Sequence, residues 1–264
     1  HPRRSYGHWR LMLTEPRSGA ENMARDTALL ARAARTGETV FSVYSWARPT
    51  LSFGRNQIAR DRYAVERIRM SGIDIVRRPT GGRAILHDRE VTYSVTAPLE
   101  GAPPLREAYT RINRILLEGL ARLGVSAELS ATGARSPAPN DRPCFETPTQ
   151  GELVARGRKL VGSAQWRDER GLLQHGSILV DDDQSSLSKF AANVVANTEA
   201  IPVPATLANL LGRVPAAADV ATAMFEAVRS LEDFGAEELG EDDIRDEALA
   251  LVPEYLDEAW TWRR

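Results

Sequence analysis

The chain reads as an α/β protein of the α+β kind: a mixed, largely antiparallel sheet flanked by helices, with further helices at the C-terminal end. Three observations predict this. Short β-branched runs follow one another through the first 180 residues with turn residues between them. Two long amphipathic stretches interrupt those runs at helical spacing. After Asp183 the strand signals stop and only helical periodicity remains. The expected organisation is one catalytic-size domain over 1–264, with a core at about 9–180 and a helical part at 184–264.

Trp9–Leu13 opens as a strand. Ser18 follows as an N-cap with Glu21 at the capping-box position, and the stripe Met23, Ala24, Leu30, Ala31, Ala34 runs to Gly37, a natural stop. Val40–Trp46 and Leu51–Gly54 are two strands parted by Arg48-Pro49, and Asp61–Met70 is a short helix ended by Gly72. Ile73–Arg77 is a short buried strand. Pro79-Thr-Gly-Gly then turns the chain into a second extended run from Arg83 to His87, the pattern of a glycine-turned hairpin. Glu90–Ala97 has the β-branched content of a half-buried strand, and Leu105–Leu123 is a long helix closed by Gly124. Ser130–Arg142, rich in Ser, Ala, Pro and Gly, is a loop. Gly151–Arg156 and Lys159–Trp166 form a hairpin through Gly157-Arg158, and Gly171–Val180 adds a strand. Leu207–Leu211, Asp219–Phe234 and Asp242–Trp260 are the closing helices.

Composition excludes more than it selects. With 264 residues, 42% hydrophobic and 27% charged, the chain has the make-up of a soluble globular protein. A net charge of -2 gives no overall attraction to nucleic acid or to a membrane surface. One cysteine, Cys144, leaves no internal disulfide and no cysteine-based metal site. No apolar run is long enough to span a bilayer, and HPRRSYGHW lacks the apolar centre of a signal peptide, so a cytoplasmic monomer is the expectation.

Basic residues are unevenly placed. The stretch Arg77–Asp88, RRPTGGRAILHD, sets Arg77, Arg78 and Arg83 around a Gly81-Gly82 pair, with His87 close behind. Paired glycines let backbone approach a ligand closely, and fixed guanidinium charge suits an anionic or phosphate-bearing tail. A second stretch holds Cys144 beside Pro143 and Phe145, then Lys159 between Gly157 and Gly162. A thiol becomes nucleophilic as thiolate, which a nearby cation favours. Spacing alone does not bring Cys144 and Lys159 together.

The segments RRPTGGRAILHDREVTYSV, PCFETP, GRKLVGSAQWR and LQHGS, in that order, resemble the lipoate/octanoate attachment family, which has the biotin/lipoate protein ligase fold. The resemblance covers roughly Trp9 to Val180. It implies a domain that takes a medium-chain acyl group into a tunnel and delivers it to one lysine of a lipoyl-type carrier domain. Within the family the chain resembles the Cys-before-Lys octanoyltransferases more than the ATP-dependent lipoate ligases: Arg83 stands where ligases have glycine, Cys144-Phe145 occupies the transferase position, and little chain follows Val180. Gly151 departs from the aromatic residue that transferases place before Glu152.

What the resemblance implies, position by position, is that Cys144 takes octanoate from acyl carrier protein as a thioester and Lys159 activates that thiol and stabilises the oxyanion. Thr80, Gly81, Gly82 and His87 form one wall, and Gly162, Ser163 and Ala164 the other. Lys159 or His87 takes the proton of the acceptor lysine, His175 borders the pocket, and Arg77, Arg78 and Arg83 receive the acidic donor and its phosphate. The acceptor would be a lipoyl domain such as the glycine-cleavage H protein or a 2-oxoacid dehydrogenase acyltransferase subunit. No cofactor or metal is required on this reading. The ligase alternative needs ATP and Mg and predicts lipoyl-AMP, and a third reading is an acyl-binding protein without turnover.

Overall fold

The computed structural model describes residues 7–100, 103–131, 151–181, 184–192 and 203–264. Its centre is an eight-stranded sheet in the order β11-β1-β2-β6-β10-β9-β8-β7. The strands are β1 (Trp9–Leu13), β2 (Thr39–Tyr44), β6 (Glu90–Pro98), β7 (Glu128–Leu129), β8 (Leu153–Ala155), β9 (Arg158–Arg167), β10 (Gly171–Leu179) and β11 (Glu237–Glu238). β11, β1 and β2 run parallel, and every pairing from β2 through β6, β10, β9 and β8 to β7 is antiparallel. The mixed, largely antiparallel sheet is therefore as expected, while β11 at its edge has no counterpart in the sequence reading.

Helices cover both faces. α1 (Gly19–Thr36) begins at the reciprocal Ser18–Glu21 capping box and ends at Gly37 with φ +73°, as its residues predict. α3 (Leu105–Arg122) and α5 (Ala217–Leu231) lie together on the opposite face. Alternate residues of β2 divide between them: Phe41 and Val43 join the core under α3 and α5 with Tyr93, Ile112, Leu116 and Met224, whereas Val40 and Tyr44 face α1. With two covered faces β6 is buried along nearly its whole length, not half-buried as its composition suggests. Gly119 sets the separation of α3 and α5, because a Cβ there would stand 2.3 Å from the Met224 sulfur. The C-terminal helix α6 (Arg245–Leu256) packs on α1, and Tyr255 donates or accepts a 2.5 Å bond with Thr27. No helix among the described residues is long and apolar enough to cross a membrane.

The remaining strands form a second, three-stranded sheet in the order β4-β3-β5: β3 (Thr50–Phe53), β4 (Asp74–Arg77) and β5 (Ile85–His87). This corrects the hairpin reading. β4 and β5 do not pair with each other; β3 lies between them, parallel to β4 and antiparallel to β5. The glycine turn is thus a loop that crosses the end of β3. The expected helix over Asp61–Met70 is confined to α2 (Val65–Met70). The β8–β9 hairpin stands as expected, one residue displaced: Arg156 and Gly157 are its turn, both at positive φ (51° and 72°), and Ala155 pairs with Arg158.

Candidate active site

The Pro79–Arg83 loop is fixed from below. Gly54 and Gly82 meet so closely that a Cβ on Gly54 would stand 1.9 Å from the Gly82 carbonyl oxygen, and Gly82 adopts φ +96°. Arg78 ties the loop to β3: Nη1 donates to the Ser52 carbonyl (3.1 Å) and hydroxyl (2.6 Å), and Nη2 donates to the carbonyls of Gly81 and Arg83 at 3.0 Å each. Arg77 points to the other side, where Nη1 donates to the carbonyls of Gly54 (2.7 Å) and Gln57 (2.8 Å) and Nε to that of Thr261 (2.8 Å). Burial, then Arg263, Arg78 and Arg264, push its pKa down to about 10, which still leaves it charged at neutral pH.

Here the sequence expectation is corrected. Arg77, Arg78 and Arg83 are only 0%, 3% and 6% exposed, so they are not a solvated positive mouth for an acidic partner. A crossing loop leaves backbone carbonyls without ladder partners, and the five donors of a guanidinium satisfy several at once. Buried polar groups of this sort must be hydrogen-bonded to persist.

Two histidine-centred chains meet above the loop. His87 donates from Nδ1 to the Glu90 carboxylate (3.2 Å), so that in the neutral ring Nε2 accepts from the Ser52 hydroxyl (2.6 Å). Its ring stacks on Trp46 at 4.0 Å between centroids, and Trp46 donates to Thr92, which donates to Glu90. Burial lowers the His87 pKa, against the Glu90 bond that raises it, which favours the neutral imidazole. The second chain runs from Thr80 Oγ1 to His175 Nε2 (2.6 Å) and from His175 Nδ1 to Asp26 (2.7 Å), with Tyr44 also donating to Asp26 (2.9 Å). Burial and then the Asp26 carboxylate push the Tyr44 hydroxyl well above its ordinary pKa. Hydroxyl, imidazole and carboxylate in line have the geometry of a nucleophilic triad. Thr80 is fully buried, however, so the chain positions the loop instead of attacking a substrate.

Between the loop and the sheet lies a cavity of about 370 Å³, counting its open mouth, with a predominantly apolar lining. Of the residues predicted from sequence, Arg78, Gly82, His87, Gly162, Ser163, Ala164 and His175 line it. Arg77, Thr80, Gly81, Arg83 and Lys159 are outside its lining. The remaining walls come from Met23, Tyr44, Trp46, Ile85, Thr92, Gly176 and Ser177, which the sequence reading passed over. Ile85, Thr92, Gly176 and Ser177 lie within the segments RRPTGGRAILHDREVTYSV and LQHGS without having been singled out; at Gly176 a Cβ would stand 2.4 Å from the Gly162 carbonyl and 2.8 Å from Ser163 Oγ. Ser163 also bonds Tyr93 (2.6 Å), whose hydroxyl is pushed up to about 12 by burial.

Lys159 is 2% exposed and donates to Glu152 at 2.8 Å across the β8–β9 hairpin. It stands three residues from Gly162 on the strand that forms the cavity wall. Glu152 was not anticipated as its partner. Cys144 lies outside the described residues, as does most of the Ser130–Arg142 loop. Among the described residues no group of three His, Cys, Asp or Glu side chains is placed to hold a metal ion.

Comparison with known proteins gives one consistent result. The lipoyl protein ligase A/B catalytic domain family matches residues 18–229. The octanoyltransferase LipM of Kyrpidia tusciae is 44% identical over 188 residues, covering 68% of each chain. LipM of Staphylococcus epidermidis is 39% identical over 196 residues, covering 69% of this chain and 70% of its own. Among solved structures, lipoate-protein ligase A bound with ATP superposes with a TM-score of 0.77 over 97% of this chain and 98% of its own, at 20% identity. The putative lipoate protein ligase Ta0514 of T. acidophilum with bound lipoic acid gives 0.75 over 97% and 99%, at 19% identity. At that identity the likeness concerns the fold.

Proposed function

The chain belongs to the lipoyl protein ligase A/B catalytic domain family, and on that premise we propose that it is an octanoyltransferase of protein lipoylation, working through an acyl-cysteine. The observation that carries the reading is the apolar cavity, where the Gly82 loop faces the small residues Gly162, Ser163 and Ala164. Its predominantly apolar lining, with small residues on one wall, suits a hydrocarbon chain. Relatives at 44% and 39% identity that bear the name octanoyltransferase support the same reading.

The donor is octanoyl-acyl carrier protein. The Cys144 thiolate attacks the thioester carbonyl, the new acyl–sulfur bond forms, and the phosphopantetheine sulfur departs, taking up the proton that Cys144 lost. One thioester replaces another at similar energy, so no ATP enters. The amine of a lysine on the lipoyl-domain acceptor, in the glycine-cleavage H protein or a 2-oxoacid dehydrogenase subunit, then attacks the acyl-cysteine. An amide forms, the Cys144 thiolate leaves, and the proton lost by the amine returns to it. Lys159 supplies fixed positive charge for the thiolate and for the oxyanion of both steps. Both ring nitrogens of His87 are already engaged with Ser52 and Glu90, so His87 is assigned to the wall and not to proton transfer from the amine.

The test is transfer of octanoate to a purified lipoyl domain with and without ATP. The proposal expects full transfer from octanoyl-acyl carrier protein without nucleotide, and none from Cys144→Ala. Lipoyl-AMP formation from lipoate and ATP, undiminished in Cys144→Ala, would replace it with the ligase reading. Octanoate binding with neither product would make the protein an acyl binder.

A further inference from the structure

With Arg77, Arg78 and Arg83 turned inward, the positive charge that reaches solvent beside the cavity comes from elsewhere. Arg55 follows Gly54, the residue pressed against Gly82, and its backbone N–H donates to the Thr80 carbonyl at 2.7 Å. Its guanidinium lies 3.9 Å from the centre of the Trp166 ring and 5.4 Å from that of Trp260. Arg263 covers Trp260 at 4.2 Å and donates from Nη2 to the Arg55 carbonyl at 2.6 Å. Trp166 is two residues beyond Ala164 on β9, hence on the same face and about 6–7 Å further along. The result is a stack, Arg263–Trp260–Arg55–Trp166, that ends at the Gly82–Ala164 rim of the cavity.

Arg55 and both tryptophans are partly exposed and Arg263 is exposed. Among the described residues neither guanidinium has a carboxylate partner, and the nearby Asp168 is held by Arg170 at 2.6 Å. Arg263 and Arg55 also repel each other, as the lowered pKa of Arg263 registers after the effect of burial. Aromatic faces hold two like charges together here without neutralising them. On a chain of net charge -2 that is a local positive surface beside the Gly82–Ala164 wall of the cavity.

We propose that this arginine–tryptophan stack is the docking surface for the acyl donor, an acidic carrier domain whose phosphate-bearing arm enters past Gly82 and Ala164. The assignment rests on the octanoyl-transfer reading and names the surface that reading requires. Guanidinium groups suit both carboxylates and a phosphodiester, and rim charges of this kind govern encounter rate and salt dependence.

The experiment measures binding of phosphopantetheinylated octanoyl-acyl carrier protein to the full chain across a salt series, without following catalysis. Arg55→Glu and Arg263→Glu are expected to raise Kd about tenfold or more and to flatten its salt dependence, whereas Arg55→Lys keeps most of the affinity. Arg213→Glu makes the same charge change on the exposed turn after Leu211 and is expected to shift Kd by less than about twofold. Wild-type affinity in Arg55→Glu and Arg263→Glu overturns the proposal, as does an equal loss in Arg213→Glu. Loss in Arg55→Lys as large as in Arg55→Glu, with Arg263→Glu unaffected, makes the stack a structural clasp. Weakened binding of the lipoyl-domain acceptor alone would reassign the surface to the acceptor. A wild type that binds the carrier but transfers no octanoate sinks the transfer reading and leaves the surface standing.

Discussion

The small sheet and the β8–β9 hairpin both bury positive charge, and they satisfy it in different ways. Arg77 and Arg78 give their N–H groups to backbone carbonyls and one serine, spread over β3, the two loops beside it and Thr261 near the C-terminal end. Lys159 gives its ammonium to the carboxylate of Glu152. A planar guanidinium in a cage of carbonyls fixes geometry and has no proton to trade. An ammonium is a compact charge on a flexible stem, and a developing thiolate or oxyanion can compete with the carboxylate for it. On the proposed acyl-transfer reading the first region is scaffold and the second is chemistry, although both read as basic residues near glycines in the sequence.

The largest effect that could break this division is at Lys159. Lys159→Ala is expected to lower the single-turnover rate of acyl transfer by roughly 10²–10³-fold, and Lys159→Arg is not expected to restore it. A transfer rate within a few fold of wild type would remove Lys159 from the chemistry.

Arg77→Met tests the other half. It removes the Arg77 donor from the buried carbonyls of Gly54, Gln57 and Thr261, of which Gly54 keeps the Gln57 N–H, and should cost roughly 2–4 kcal/mol in urea unfolding, with transfer per folded molecule little changed. A well-folded variant with lost transfer would mean that Arg77 does more than hold the chain.

Thr80→Val sharpens the comparison within the scaffold. Removing the hydroxyl that donates to His175 should lower kcat/KM by about tenfold, equivalent to about 1.4 kcal/mol of loop positioning, with Thr80→Ser restoring most of it. Equal values for Thr80→Val and wild type would leave the Thr80–His175–Asp26 chain without a role in transfer.

The smallest effect concerns His87. Burial holds its folded pKa below its ordinary 6.5, so the unfolded chain takes up a proton at higher pH than the folded one. The stability associated with this group is complete above pH 6.5 and is lost as pH falls below that value towards the folded pKa. For one group the slope does not exceed about 1.4 kcal/mol per pH unit. His87→Gln should flatten that part of the stability profile, measured by chemical denaturation from above pH 6.5 to below it; an unchanged profile would show that His87 is not buried neutral.

Much of the fold was legible because its signals are local. Ser18, Glu21 and Gly37 bound α1, and the alternation of β2 places Phe41 and Val43 opposite Val40 and Tyr44. What failed was tertiary. Ile73–Arg77 and Arg83–His87 look like a hairpin because nothing in their spacing reveals that β3 lies between them. The arginines beside Gly81 and Gly82 look solvated because a sequence does not show which carbonyls a crossing loop leaves open. The small residues of the cavity, Gly82 and Gly162 through Ala164, were readable, as were His87 and His175. Glu90 shares the segment RRPTGGRAILHDREVTYSV with His87, but nothing in that segment marks it as the partner; Asp26 on α1 and Glu152 before β8 lie outside the segments that hold His175 and Lys159.

The acyl-enzyme is the claim on which the functional account turns, and intact-mass measurement tests it directly. The protein is mixed with octanoyl-acyl carrier protein, without ATP and without acceptor, and then digested to locate any adduct. The account predicts one octanoyl group, on the peptide that carries Cys144, discharged when a lipoyl domain is added. A protein that lipoylates or octanoylates its acceptor while Cys144 stays unmodified, or does so equally well as Cys144→Ala, would contradict it.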